Sequence, residues 1–342
     1  MKNVVSVLSC LLAITLGSLT WAQAPVTIDE ADAKFQGLHG RMWMGNFSYD
    51  DTVLVTSSGW DASPGELILW NLDTKKPAIV RRQNAGIRTA VFSPDGETLA
   101  MSDFQENLLL IDQKTGVAKA LPKQASTANS ILFTSDSKQL LCGCSNGDIN
   151  QVDLATGMST KVLNAPGERV VTIALSTNGE KLVAVTWTGR AYVWDFPQRT
   201  LLHKLDVVQS QYAGRVPAEA LAFAPEEMVF VTGTFEGTVR TWNASSGEML
   251  HELKKGGEGQ LTAAYSPDGN LLVTAGNQGQ LSYWDPATGQ LLHTLQAHPE
   301  QCTSVAFTHG GDRLLTTSWD GSVKVWDRET RELITTLSPN SP

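Results

Sequence analysis

Aromatic side chains and arginines recur along this 342-residue chain, and together they carry binding chemistry. The aromatic members are Trp60, Phe104, Trp187, Phe235 and Trp319. The arginines are Arg41, Arg88, Arg169 and Arg215. Guanidinium groups hold carboxylates through charge-assisted, bidentate hydrogen bonds, and aromatic residues supply large contact areas in binding hot spots. We therefore predict a surface that binds a protein or peptide partner, and these residues are its candidate contacts.

The short motifs of common catalytic sites are missing from the sequence. There is no Gly-rich phosphate loop before a helix, no HExxH, no paired CxxC and no Gly-x-Ser-x-Gly elbow. The His and Cys residues are scattered rather than gathered at the spacing of zinc ligands. We accordingly expect no catalytic residue, no cofactor and no metal site.

An internal repeat positions the candidate residues. The pair Trp326-Asp327 has counterparts at Trp70-Asn71, Ile111-Asp112, Val152-Asp153, Trp194-Asp195, Trp242-Asn243 and Trp284-Asp285. The intervals are 41, 41, 42, 48, 42 and 42 residues. A period of about 40 to 45 residues is typical of a four-stranded propeller blade.

Each copy reads as four short strands, which we call a to d. An alternating apolar run such as AAYSPDG (263–269) ends in a tight turn, and Asp-Gly or Asn-Gly supplies the backbone angles that a hairpin needs. No long amphipathic helix interrupts the strands. The sequence therefore predicts an all-β protein, a seven-bladed β-propeller of four-stranded antiparallel blades.

The aromatic residues share one place in the repeat, one residue before the turn between strands b and c. Five of the seven copies are aromatic at this position, and the others have Ser145 and Asn277. The arginines fall near the start of strand a. Because these turns and starts emerge on the same face, we expect an aromatic arc with neighbouring arginines around one mouth of the central channel. We call this face the top face.

With the period and turns in hand, residues 38–338 resemble the WD40-repeat β-propellers. In that family a His, a Ser or Thr, an Asp and a Trp form a hydrogen-bonded tetrad in each blade. The resemblance implies two such tetrads here: His39, Thr56, Asp61 and Trp70, and His298, Thr316, Asp320 and Trp326. The middle blades depart from the pattern, so we expect them to be poorer in this polar network, with packing contributing more of their stability.

The resemblance favours a non-catalytic interaction scaffold that uses the top face, and alternatives stay open. The chain could instead be a secreted enzyme or a small-ligand-binding propeller, provided that Glu219, Glu236 and Asp103 converge at the channel mouth. It could also be a structural module whose partners bind the bottom or the sides of the propeller. Six extra residues before the fifth strand a, within 207–219, would form a longer loop over that mouth.

The N-terminus has the layout of a secretory signal peptide, with Lys2 before the apolar run 4–19 and small residues at Ala22 and Ala24. We expect cleavage after Ala22, a periplasmic or extracellular location and no membrane insertion afterwards, although an uncleaved anchor is the alternative. The net charge of −9 opposes nonspecific binding to nucleic acid. The predicted segments are a signal peptide (1–22), an N-terminal segment (23–37), the propeller (38–338) and a tail (339–342).

Two features stay open at this stage. Residues 332–337 can supply the fourth strand of the last blade, but residues 25–37 can also pair there and close the ring. The oligomeric state is not determined by the sequence, and a monomeric domain is our expectation.

Overall fold

The computed structural model describes residues 42–59, 63–208, 218–225, 228–253 and 259–337. These residues form seven antiparallel sheets of four strands, and the strands of each sheet follow chain order. The first strand of each sheet contacts the first strand of both neighbouring sheets, so these strands form the innermost ring. The protein is a seven-bladed β-propeller, which confirms the predicted fold class.

Blades 1 to 4 contain strands β1 (Met42–Phe47), β2 (Val53–Ser58), β3 (Gly65–Asn71), β4 (Lys76–Gln83), β5 (Ile87–Phe92), β6 (Thr98–Asp103), β7 (Leu108–Asp112), β8 (Ala118–Ala120), β9 (Ala128–Phe133), β10 (Gln139–Cys144), β11 (Asp148–Asp153), β12 (Ser159–Asn164), β13 (Val170–Leu175), β14 (Lys181–Thr186), β15 (Arg190–Asp195) and β16 (Thr200–Asp206). Blades 5 to 7 contain β17 (Ala218–Phe223), β18 (Val229–Thr234), β19 (Val239–Asn243), β20 (Met249–Leu253), β21 (Gln260–Tyr265), β22 (Leu272–Gly276), β23 (Gln280–Trp284), β24 (Leu291–Gln296), β25 (Cys302–Phe307), β26 (Arg313–Ser318), β27 (Val323–Asp327) and β28 (Leu333–Leu337). No helix in the described part of the chain is long and apolar enough to cross a membrane.

The core consists of separate apolar clusters between blades rather than one central mass. The described residues form seven such clusters, and each combines side chains from two neighbouring sheets. One of them joins Leu141 and Ile149 of blade 3 to Ile173 and Tyr192 of blade 4. A blade on its own would expose both of its apolar faces, so each sheet depends on its neighbours for stability.

The turns between strands a and b repeat one hydrogen-bonded design. In blade 6 the Ser266 hydroxyl donates to Asp268 (2.5 Å) and accepts from the backbone N–H of Leu271 (3.0 Å). Gly269 follows with φ of 72°, a left-handed angle that glycine adopts without strain. The Ser-x-Asp-Gly pattern in the sequence therefore sets the register of the a–b hairpin.

Each strand a carries a β-bulge near its start. In blade 7, Cys302 pairs with Ser318 and Ser304 pairs with Thr317, so Thr303 is the extra residue. The same irregularity occurs in all seven sheets, at Trp43, Arg88, Asn129, Val171, Glu219, Leu261 and Thr303. A bulge re-aims its extra side chain away from the regular alternation, and here it does so at the top end of the innermost strands.

The last blade takes all four strands from the C-terminal part of the chain. Leu333–Leu337 pairs with β27 and occupies the outer position of that sheet. Of the two candidates for this position, residues 332–337 are therefore the ones seen there. The other candidate, residues 25–37, lies outside the described residues.

Blades 1 and 7 meet through packing and hydrogen bonds. The carboxylate of Asp51 accepts hydrogen bonds from the backbone N–H groups of His309 (2.8 Å) and Gly310 (2.9 Å) and lies 3.0 Å from the His309 ring. At Gly45 an added Cβ would come within 2.7 Å of a Thr317 methyl group. Close approach and the Asp51 carboxylate thus join the two blades that closure brings together.

We expect Asp51→Gly to lower the free energy of unfolding by about 1–3 kcal/mol, because two backbone donors lose their acceptor. Asp51 has φ of 56°, so glycine keeps the backbone conformation and the loss reports the carboxylate. Ser137→Gly is the comparison, since Ser137 occupies the equivalent turn position of blade 3 with φ of 57° and its hydroxyl accepts only one backbone N–H, that of Asp95 (3.1 Å), so a smaller loss is expected. Urea denaturation of both variants measures the effect, and equal losses would contradict the role given to Asp51.

Candidate functional site

The aromatic positions lie side by side with the starts of the innermost strands. The backbone N–H of Phe104 donates to Gly86 (3.2 Å), that of Trp187 to Arg169 (2.9 Å) and that of Trp319 to Gln301 (3.0 Å). Ser145 and Asn277 make the same bond in their blades, to Thr127 and Gly259. This repeated bond extends the a–b pairing by one step at the same end of five blades.

The four described aromatic residues differ in exposure. Trp187 is 46% exposed and Phe235 is 49% exposed, whereas Phe104 and Trp319 are half-buried. The fifth, Trp60, lies outside the described residues. Two large apolar side chains are therefore presented to solvent in neighbouring blades 4 and 5.

Two of the predicted arginines stack on predicted aromatic residues. The guanidinium carbon of Arg88 lies 5.3 Å from the centre of the Phe104 ring, and that of Arg169 lies 5.3 Å from the centre of the Trp187 ring. Such cation–π contacts are worth about 0.5–1 kcal/mol at exposed sites. The other two arginines, Arg41 and Arg215, lie outside the described residues.

A polar arc crosses four consecutive blades at the channel mouth. It consists of Arg88, Asn129, Arg169 and Glu219, three of which are bulge residues. A guanidinium nitrogen of Arg169 lies 3.5 Å from the amide oxygen of Asn129, and the Asn129 amide nitrogen donates to Ser145 (2.9 Å) and to the Val170 carbonyl (2.6 Å). Asn129 therefore links the arginine of blade 4 to blade 3.

Charges within the polar arc act on one another. Burial, together with the positive charge of Arg169, lowers the pKa of Arg88 to about 10, while Glu219 acts in the opposite direction. Burial raises the pKa of Glu219, and the two arginines oppose that rise. Arg88, Arg169 and Glu219 thus share one electrostatic environment although they come from blades 2, 4 and 5.

The three acidic residues considered for catalysis have separate surroundings. Asp103 is buried and accepts hydrogen bonds from the backbone N–H groups of Gln105 (2.8 Å) and Asn107 (3.0 Å), so it caps its own turn. Glu236 accepts from the Thr238 hydroxyl at 3.2 Å. Glu219 interacts electrostatically with Arg88 and Arg169. Asp103 also accepts from the Gln83 amide of blade 1 (3.0 Å), so the three carboxylates have different partners.

The last blade contains a continuous hydrogen-bonded tetrad. The Trp326 indole N–H donates to the Thr316 hydroxyl (2.9 Å), which lies 2.7 Å from Nε2 of His298. Nδ1 of His298 lies 3.1 Å from an Asp320 oxygen. A neutral imidazole that accepts at Nε2 and donates from Nδ1 satisfies every group of the tetrad.

Parts of the same network occur in other blades. The indole N–H of Trp70 donates to Thr56 at 3.0 Å in blade 1. The corresponding bonds run from Trp242 to Thr232 (2.9 Å) and from Trp284 to Thr274 (3.0 Å). His39 and Asp61, the other two predicted members in blade 1, lie outside the described residues.

Blade 4 has a buried glutamate where the tetrad was expected to be weak. Tyr192 donates to Glu168 at 2.8 Å, Arg190 at 2.5 Å and Thr186 at 2.8 Å, and Thr188 is a further donor. Burial acts to raise the pKa of Glu168, but these hydrogen bonds outweigh it and lower the pKa to about 2. The expectation concerned the tetrad, and blade 4 has a different polar network, built around Glu168. The alternation of Thr186, Thr188, Arg190 and Tyr192 was the available signal.

The described residues contain no group of three or more His, Cys, Asp or Glu residues that could hold a metal ion. Cys142, Cys144 and Cys302 are buried free thiols. Burial raises the pKa of Cys144 and of Cys302 to about 12. Such thiols pack as small apolar groups and make weak nucleophiles.

Comparison with known proteins supports the WD40-repeat family. A family model described as "WD domain, G-beta repeat" matches residues 247–285 and 289–327, within blades 5 to 7. The chain is 25% identical over 218 residues to a guanine nucleotide-binding protein subunit beta from Solanum tuberosum, covering 56% of this chain and 53% of that protein. It is 22% identical over 226 residues to WD repeat-containing protein SL1-17 from Schistosoma mansoni, covering 65% and 71% of the two chains.

A third relative shows how partial such matches are. Apoptotic protease-activating factor 1 from Rattus norvegicus is 25% identical over 165 residues, which cover 48% of this chain and 13% of that protein. The match also spans only about half the length of the potato subunit. The relatives therefore support a shared repeat and not a shared partner.

His298 makes stability depend on pH. Burial is the main reason that its pKa falls from 6.5 to about 4, and Asp320 opposes the fall. The unfolded chain thus binds the proton more readily, so the stabilisation is complete above pH 6.5 and is lost as pH falls toward 4. We expect the free energy of unfolding to drop by about 2 kcal/mol from this group between pH 7.5 and 5.

Denaturant unfolding of His298→Gln at both pH values checks this assignment, with His293→Gln on the exposed outer strand β24 as the control. The His298 variant is expected to be less stable at pH 7.5 and to lose less stability on acidification than the control. A variant that keeps the full pH dependence would contradict the role of His298.

Proposed function

We propose that this protein is an exported, non-catalytic WD40-repeat scaffold that docks a protein or peptide partner on its top face. The observation that carries the proposal is the pair of exposed aromatic side chains, Trp187 and Phe235, at equivalent places in adjacent blades. Binding hot spots are enriched in aromatic residues and arginine, and Arg169 stacks on Trp187.

Packing does not explain these two exposed rings. Phe104 and Trp319 of the same series are half-buried, whereas Trp187 and Phe235 are 46% and 49% exposed. Exposed aromatic surface is unfavourable in water. Burial of that surface under a bound partner therefore contributes favourable free energy. The exposure thus favours a docking role over a purely structural one.

The rival function, an enzyme or small-ligand site in the channel mouth, has weaker support. Its candidate acids are Asp103, Glu236 and Glu219, and Asp103 already accepts four hydrogen bonds, from Gln83, Gln105 and Asn107. A carboxylate held in this way is poorly placed to exchange protons with a substrate. We therefore favour partner docking.

Export is the part of the proposal that rests on the N-terminal sequence alone. Expression of the full chain in a secreting host should yield a protein that begins at Gln23, because the signal peptide is removed after Ala22. Intact mass spectrometry of the exported and retained fractions measures this directly. A chain that keeps residues 1–22 and stays with the membrane fraction would instead support the anchor.

The docking role predicts that Trp187→Ala combined with Phe235→Ala reduces capture of partners by at least about tenfold, since each hot-spot aromatic contributes about 2 kcal/mol or more. The control combines Leu201→Ala and Met249→Ala on outer strands β16 and β20, where the side chains are 51% and 49% exposed. Affinity capture from an extract of the source organism, quantified by mass spectrometry, compares the variants. Circular dichroism confirms that both remain folded.

Retention of partners by the top-face variant, together with their loss from the outer-strand variant, would move the docking surface to the side of the propeller. Four outer strands do present adjacent exposed apolar pairs: Leu201 and Leu202, Met249 and Leu250, Leu291 and Leu292, and Leu333 and Ile334. The outer-strand variant therefore tests an alternative docking surface and also controls for nonspecific loss of apolar surface.

A further inference from the structure

We propose that Arg88 and Arg169 form a receptor for one carboxylate of the docked partner, and that Glu219 is a built-in competitor for it. This inference rests on the proposed docking function and names the chemistry that the partner must bring. The ligand class is an acidic side chain or a chain-terminal carboxylate of a protein or peptide.

The two guanidinium groups are held in similar settings. Each lies 5.3 Å from the centre of an aromatic ring, Arg88 over Phe104 and Arg169 over Trp187. A ring that covers one face of the planar group leaves the N–H donors at its edge, and this edge fits a carboxylate in bidentate fashion. The stacking therefore orders both groups before any ligand arrives.

The hydrogen-bonding capacity of the pair is largely unused within the described residues. No described residue accepts a hydrogen bond from the Arg88 guanidinium, and Arg169 has only the long 3.5 Å contact with Asn129. Arginine offers five donors. Arg88 is half-buried, where unsatisfied donors are costly, whereas Arg169 is exposed and its donors meet water until a ligand arrives. An incoming carboxylate would satisfy the Arg88 donors and replace water at Arg169.

The charge balance of the polar arc also favours one more anion. Two positive groups act electrostatically on a single negative group, Glu219, and the two arginines repel each other. No described residue donates a hydrogen bond to the Glu219 carboxylate, so this group relies on the field of the arginines. A second carboxylate would relieve the repulsion, and it would compete with Glu219 for the same field.

The bulges explain why the receptor is at the mouth. Arg88 and Glu219 are the extra residues of strands β5 and β17, and Asn129 is that of β9. Arg169 immediately precedes β13. All four side chains of the polar arc therefore start from the top ends of the innermost strands, and one of them, Arg169, lies over the exposed ring of Trp187.

The test uses N-acetyl-aspartate N′-methylamide as the probe and the corresponding asparagine compound as its uncharged match, at constant ionic strength. Two-dimensional NMR of the arginine Nε–Hε groups follows the titration. We expect a saturable response to the aspartate probe and none to the asparagine probe. Arg169→Gln, an exposed position that should leave the fold intact, is expected to abolish the response.

Glu219→Gln is the more decisive variant, because the two possible roles of Glu219 predict opposite results. Glu219 either competes with the ligand for the arginines or holds the arginines in place. Removal of the competing charge should tighten the aspartate probe by about three- to tenfold, a discounted effect of one charge in a partly solvated site. If Glu219 instead holds the arginines in place, the same variant would weaken binding. Equal responses to the two probes, or a response that survives Arg169→Gln, would also overturn the proposal.

Failure here is distinguishable from failure of the docking function. If the Trp187 and Phe235 variant loses its partners while the aspartate probe gives no saturable response, the top face docks partners and the carboxylate receptor is wrong. If partner capture survives the aromatic replacements but the probe binds, the receptor stands as a small-anion site without the docking role.

Discussion

The propeller depends on face-to-face packing between neighbouring blades. Every apolar cluster in the described residues is shared by two sheets, so no blade has a core of its own. This makes closure a condition for stability as well as a feature of shape. At the junction of blades 1 and 7, the absence of a side chain at Gly45 allows close approach, and Asp51 supplies the polar contact.

The period of the sequence was enough to predict the ring because the packing constraint acts on every repeat alike. Each strand b must be buried on both faces and each a–b turn must reverse the chain in four residues, so both leave regular signals such as Ser266 to Gly269. The aromatic positions could be placed for the same reason, since their backbone bonds continue this ladder. The side-chain contacts between blades could not be predicted in this way. Arg169 reaches Asn129 across 40 residues of sequence, and no local pattern encodes that distance.

Glu168 illustrates a second limit of the sequence. The family pattern directs attention to a His before strand a, and its absence in blade 4 suggested a weak network. The fold instead places a carboxylate two positions further on, where Tyr192 and Arg190 converge on it. Thr186 on strand β14 donates to the same carboxylate. The physical requirement is a satisfied polar cluster at the top of the blade, and different residues fulfil it. A pattern of residue types detects only one of the solutions.

The same reasoning explains why the channel mouth can carry specificity. Inter-blade packing fixes the side chains that face a neighbouring sheet, and the hydrogen-bond ladder fixes the backbone of strand a. The bulge residue is released from the ladder, because it has no partner there and lies at the end of the strand. Packing still buries it in some blades, as at Asn129, Val171 and Leu261. Arg88, Val171, Glu219 and Thr303 occupy this one position in four blades and share no chemistry. Variation that would be destabilising one residue deeper is tolerated here, so a scaffold built from near-identical blades acquires a mouth with a definite distribution of charge.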